Sequence, residues 1–241
     1  MKKQVLFILA AFSVVQCWSQ SAKNLVYDAN AQVRSVGSFN GLDVSSAIAV
    51  YISQGSETAV AISGAPELRD KVKTEVKDGI LKISLEGGSN FWHMWRETKR
   101  VKAYVTVKDL RSLTVSGAST ATITDRLSTD ELRVSVSGAS SLQGAIAAKN
   151  MKMQISGASS ARLTGSADVL AADVNGASSL RASEFTAATC HAEASGASDM
   201  RLNVSKEFTS VRATGASTIR YSGDAIARNI ESSGASSIKK Q

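Results

Sequence analysis

The sequence predicts an all-β solenoid of stacked coils, on three observations. First, the tetrapeptide Ser116-Gly117-Ala118-Ser119 returns around Gly138, Gly157, Gly176, Gly196, Gly215 and Gly234, in steps of 21, 19, 19, 20, 19 and 19 residues. Self-similarity at such a period marks coils that each contact only their neighbours. Second, apolar or small residues recur four and two positions before each glycine and four after it, as in Leu113, Val115 and Ala121 or Leu180 four places beyond Gly176. A strand sends alternate side chains to one face, so these are inward columns, with one strand before each glycine and one after. Third, 5% aromatic content and a single proline suit a thin core of Val, Ile, Leu, Ala and Ser.

Taken in order, residues 1–19 read as a secretory signal. Lys2 and Lys3 precede a short apolar run over 5–15, and Cys17-Trp18-Ser19 offers small residues at the two positions that a signal peptidase inspects. The run is too short for a lasting membrane span. Lipidation at Cys17 would be the one route to a membrane, but Gln16 is bulky where such signals place a small residue, so the sequence favours ordinary secretion. Removing the signal leaves 26 basic against 21 acidic residues, a mildly basic protein. Cys190 is then the single thiol, so no intramolecular disulfide forms.

Residues 20–37 are polar and aperiodic and read as a linker or irregular lead-in. A solenoid domain over 38–240 follows, with an N-terminal part at 38–108 and the seven repeats at 109–240. In the N-terminal part, Phe39, Leu42, Val44, Ile48, Val50 and Ile52 read as one half-buried strand. Gln54-Gly55-Ser56 turns the chain, and 58–62 alternates again. Pro66 and Glu67 suit a helix start, and Leu68, Val72 and Val76 at four-residue spacing predict one short helix there. Lys77-Asp78-Gly79 is a turn before a strand over 80–85. A Gly-rich loop then holds Phe91-Trp92-His93-Met94-Trp95, and 101–107 alternates once more.

Each coil covers roughly 65 Å of extended chain, and seven stack to a rod on the order of 30 Å. Glycine fits a corner that requires positive φ or close backbone approach. The serine two places after it has inward parity and predicts a ladder of hydroxyls bonding to one another between coils.

The succession Phe39-Asn40-Gly41-Leu42-Asp43-Val44, Val50-Tyr51-Ile52-Ser53-Gln54-Gly55, Val76-Lys77-Asp78-Gly79-Ile80-Leu81-Lys82-Ile83 and Tyr104-Val105-Thr106-Val107, leading into the Gly-Ala-Ser copies, resembles the putative autotransporter adhesin, head GIN domain family of secreted Bacteroidetes proteins. The resemblance covers about 38–240. It implies a right-handed parallel β-helix and a cell-envelope or extracellular location, whether periplasmic, outer-membrane-associated or at the cell surface. It carries over no catalytic or binding residues.

Five places after each glycine stand Thr122, Gln143, Arg162, Arg181, Arg201, Arg220 and Lys239. Their parity points them outward, so the last five line up as cations about 4.8 Å apart. Such a stripe suits an acidic glycan, although a solvated face of guanidinium groups covering apolar stems satisfies the same pattern. No aromatic residue interleaves these cations, which argues against stacking on single-stranded nucleic acid. Phe91, Trp92 and Trp95 are a second candidate contact, for a glycan or an envelope protein, or else a cover for the solenoid.

The sequence offers little for catalysis. Cys190 and His191 are adjacent, hence on opposite faces of a strand, and Cys190 takes the inward parity of a small hydrophobe. His93 is the only other histidine, which leaves no histidine-rich metal site and no evident cofactor. Asp125, Asp168, Asp173, Asp199 and Asp224 stand at different distances from the glycine and form no column. The expectation is therefore a non-catalytic, envelope-associated or surface module with adhesin-like binding. A purely structural envelope solenoid is the second reading, and a polysaccharide-acting enzyme the third.

Overall fold

A computed structural model describes residues 31–86 and 101–241; the signal segment, most of the lead-in and residues 91–95 of the aromatic loop lie outside them. The chain opens with β1 (Gln32–Arg34), β2 (Gly41–Val44), β3 (Ala49–Gln54) and β4 (Ala59–Ser63). Helix α1 (Pro66–Arg69) leads into β5 (Val72–Lys77) and β6 (Ile80–Leu85), followed by β7 (Lys102–Val107), β8 (Ser112–Val115) and β9 (Thr120–Ile123). The repeats supply β10 (Leu127–Val136), β11 (Ser141–Ile155), β12 (Ser160–Val174), β13 (Ser179–Ala194) and β14 (Asp199–Ala213). The coil after the Gly215 corner is cut into β15 (Thr218–Ser222), β16 (Ile226–Ala227) and β17 (Ile230–Ser232), and β18 (Ser237–Lys240) follows the Gly234 corner and stacks on β15. The result is an all-β parallel solenoid of about seven turns with one short helix.

Parallel pairing runs through the stack on both sides of the corner. Before it, β6, β2, β8, β10 and the C-terminal halves of β11 to β14 pair in succession. After it, β7, β3, β9 and the N-terminal halves of β11 to β14 do the same. The β2–β3 coil therefore lies inside the stack, with the β6–β7 coil on one side and β8–β9 on the other. At this end the ladder is closed by antiparallel strands: β5 on β6, β4 on β7, and β1 on β4. Antiparallel strands stop the parallel stack from presenting a ready pairing edge.

Four expectations about secondary structure change. The predicted helix stops at Arg69, and Val72 and Val76 lie instead in β5, paired with Leu85 and Leu81. A four-residue spacing fits a helix face and also two strand repeats, and Thr74 between the valines completes the strand alternation. The stretch from Phe39 to Ile52 is two strands rather than one, since Ser46 (φ 65°) and Ala47 (φ 55°) turn the chain between them. Within the lead-in, β1 forms a strand.

In β11 to β14, finally, the two strands expected per coil merge into one strand that runs from corner to corner. In β11 the buried positions are Leu142 and Ile146, then Met151, Met153 and Ile155. The switch from even to odd marks where the strand bends while its ladder holds.

The inward columns are buried as expected from Leu113 to Val211, and the core fills with Phe185, Phe208, Leu127 and Leu132 as well. The terminal coil differs: Ile230 is 51% exposed because no further coil covers it. At the corners the glycine meets both of its expected requirements. Gly176 has φ 75°, and a Cβ there would stand 2.6 Å from the Gly157 carbonyl oxygen of the preceding coil.

The serine column is buried, no more than 3% exposed from Ser119 to Ser217, but its hydroxyls bond to backbone rather than to one another. Ser140 Oγ accepts from the Ser119 amide at 3.2 Å, and Ser217 Oγ donates to the Ala194 and Thr214 carbonyls at 3.1 and 2.8 Å. Backbone partners are fixed one coil away, whereas successive side-chain oxygens would each need the next to rotate into place. Ser119 Oγ alone has no partner. Its neighbour is the Ser46-Ala47 corner, where both residues have positive φ, as do Gly117 and Ala118, so the corner geometry differs from the later copies.

Candidate functional site

The strand ladder after the corner brings the predicted cations together. Arg162, Arg181, Arg201 and Arg220 are in-register partners on β12, β13, β14 and β15, and Lys239 on β18 follows Arg220. Arg162, Arg181 and Arg201 are each flanked by buried neighbours, as Arg181 is by Leu180 and Ala182, which fixes their side chains outward. Like unit charges about 4 Å apart repel by about 1 kcal/mol in bulk water, less with salt. One carboxylate offsets part of this: Asp199 meets Arg220 Nη1 at 2.6 Å and Arg201 Nε at 3.5 Å. Among the described residues Arg162 and Arg181 make no ion pair, and beside them in the adjoining outward column stand Ser160 and Ser179.

The column continues beyond the repeats, which the sequence reading missed. Arg162 pairs with Gln143, Gln143 with Thr122, Thr122 with Tyr51, and Tyr51 with Tyr104. The two tyrosines stack, with centroids 5.3 Å apart and planes 18° from parallel. The signal was present: counting five residues from Ser46, the corner without a glycine, lands on Tyr51. The post-corner face thus carries two aromatic rings, a threonine, a glutamine and five cations in one line.

The outward column three residues before the glycine has the same backbone geometry and another composition. It runs Glu75, Lys82, Asp43, Thr114, Ser135, Gln154, Asp173, Glu193, Arg212 and Glu231, each in register with the next. Here signs mix, and Arg212 Nη2 meets Glu231 at 2.8 Å.

A groove of about 810 Å³ crosses the flank between Gln54, Arg111, Ser128 and Lys149. Four of its charged residues are already paired with one another. Arg111 Nε and Thr129 Oγ1 donate to Asp109 at 2.8 and 2.7 Å, and these bonds hold its carboxyl below the usual range, while Lys149 meets Asp130 at 2.8 Å. Cys190 is fully buried, and burial pushes its thiol up to about 12; His191, on the opposite face, lies 3.5 Å from Glu193. Among the described residues no three His, Cys, Asp or Glu are grouped to hold a metal ion. Phe91, Trp92 and Trp95 lie outside the described residues.

The family model described as putative auto-transporter adhesin, head GIN domain, matches residues 38–225. Among solved structures, a putative adhesin from Bacteroides fragilis is similar at 22% identity and TM-score 0.77, covering 88% of this chain and 96% of its own. A putative adhesin from Parabacteroides distasonis is similar at 17% identity and TM-score 0.68, with the same coverages of 88% and 96%. A protein of that species described as a putative lipid binding protein is similar at 15% identity and TM-score 0.65, covering 89% of this chain and 98% of its own. At these identities the likeness is one of fold. No curated protein matches the chain.

Proposed function

The chain belongs to the family described as putative auto-transporter adhesin, head GIN domain, and from that membership we propose that it is a non-catalytic, adhesin-like module of the cell envelope that holds an acidic glycan on its cation column. The single observation that supports this reading is the run Arg162, Arg181, Arg201, Arg220 and Lys239, five cations in register with one carboxylate among them. Stacked like charges are a cost to the folded chain, and a polymer with carboxylates or sulfates at a similar pitch removes it. Each guanidinium can bind such a group bidentately, and successive contacts along one polymer add through effective concentration. Secretion by the N-terminal signal would bring the face to where such glycans are found.

The test is retention on immobilised heparin with a salt gradient. Arg181→Glu with Arg201→Glu should elute at markedly lower salt than the wild type, at an unchanged thermal midpoint. Equal retention would overturn the reading.

A structural role without a ligand draws instead on the C-terminal end, where Ile226 and Ile230 are exposed on the last coil. Concentration-dependent assembly in sedimentation velocity, abolished by Ile226→Lys with Ile230→Lys, would favour that alternative.

A further inference from the structure

We propose that the glycan strip extends to Tyr51, and that one sugar ring of the bound chain packs its C–H face on that tyrosine while the carboxylates of sugars further along meet the arginines. This rests on the acidic-glycan reading above and narrows it, from any polyanion to a polysaccharide lying along the solenoid axis in a defined span.

The geometry of the ring stack carries the step. Tyr51 and Tyr104 are in-register neighbours, and their rings are near parallel at about the strand spacing, so the ring planes lie across the column rather than along it. One face of Tyr51 is taken by Tyr104. The other looks along the column over Thr122, whose side chain is too short to cover a phenol ring. Beyond it Gln143 turns its amide onto Thr122, Nε2 to Oγ1 at 3.2 Å, forming a polar floor. The result is a notch with an aromatic wall, a hydroxyl and an amide at its base, and the first arginine at its far side.

Those groups match a sugar in an acidic chain. The C–H face of a pyranose is apolar and flat enough to lie against an aromatic ring, while its hydroxyls need donors and acceptors such as Gln143 and Thr122 offer. From Tyr51 to Arg162 is three strand spacings, about 14 Å, a span that a short run of extended sugars bridges. A phosphate polymer would use the arginines and gain nothing from the ring. An extended peptide is disfavoured because the tyrosines stand mid-sheet, between paired strands on both sides, with no free backbone edge to extend.

The experiment titrates the mature protein with oligogalacturonate and, separately, with linear inorganic polyphosphate of similar charge. Tyr51→Ala should weaken oligogalacturonate binding about fivefold, the order expected for one stacked ring, and leave polyphosphate binding unchanged. Thr122→Phe, which covers the ring face with Tyr51 in place, should do the same, and Tyr51→Phe should retain wild-type affinity. Thermal midpoints check that each variant is folded. Arg181→Glu should weaken both ligands. The inference is overturned if Tyr51→Ala and Thr122→Phe leave oligogalacturonate binding unchanged, if they weaken both ligands alike, or if the wild type binds polyphosphate only. The cation-column reading falls separately, if Arg181→Glu leaves both affinities intact.

Discussion

The outward columns on the two sides of the corner belong to the same coils and the same kind of parallel ladder, and they differ in charge. Before the glycine, Asp173, Glu193, Arg212 and Glu231 mix signs; after it, Arg162, Arg181, Arg201, Arg220 and Lys239 do not. Copying a repeat unit stacks whatever residue the unit holds, so a single-sign column could be a by-product of duplication. The pre-corner column argues against that, because the same copies have diverged there to both signs. Like charges directly opposite in a sheet cost a few tenths of a kcal/mol to about 1 kcal/mol per pair, so this column holds its charge against its own stability.

The largest effect should come from breaking the corner that registers both columns. Gly176→Val adds a Cβ 2.6 Å from the Gly157 carbonyl at a φ of 75°, and should cost about 3 kcal/mol or more, read as a large drop in thermal midpoint. Next, Gln154→Arg, Asp173→Arg and Glu193→Arg would give the pre-corner column four adjacent cations with Arg212. If register and charge suffice, heparin affinity should rise about tenfold, or roughly 1.4 kcal/mol; no rise would mean that the post-corner face contributes something besides charge.

A smaller effect separates early from late corners. Ser217→Ala removes a fully buried hydroxyl that donates to two carbonyls and should lower stability by about 1 kcal/mol in denaturant unfolding. Ser119→Ala, at the unpartnered hydroxyl, should cost less than about 0.5 kcal/mol. The smallest change is electrostatic. Arg181→Gln should stabilise the protein by a few tenths of a kcal/mol at low ionic strength, with the gain disappearing in high salt. A destabilisation at low salt would show that the column is not self-repelling.

Much of this was legible in the sequence because the repeats repeat their chemistry. Gly, Ala and Ser at fixed phase located seven corners, and parity from them placed both the core from Leu113 to Val211 and the cation column. The N-terminal part was harder, since its corner is written Ser45-Ser46-Ala47-Ile48. Without the glycine the pattern Leu42, Val44, Ile48, Val50 reads as one strand, and Tyr51 loses its place five residues after a corner. Strand β5 was obscured because Val72 and Val76 satisfy two periods at once. The order of the coils, with β2–β3 inside and β6–β7 outside, depends on which strand pairs with which, and no local pattern encodes that.

The coil lengths are not equal, and the structure shows where the inequality goes. Along β12 and β13 the register shifts between Arg162 and Thr164, and along β13 and β14 it shifts only between Ala182 and His191. Arg162, Arg181 and Arg201 on one side of that stretch, and Asp173, Glu193 and Arg212 on the other, stay in line. The middle of the coil therefore acts as an expansion joint. Residues can be gained or lost there without moving a surface column, and a whole coil inserted between corners would lengthen the cation line by one unit. In such a molecule the length of the cation face is counted in coils, and can change by duplication while the spacing of its charges stays fixed.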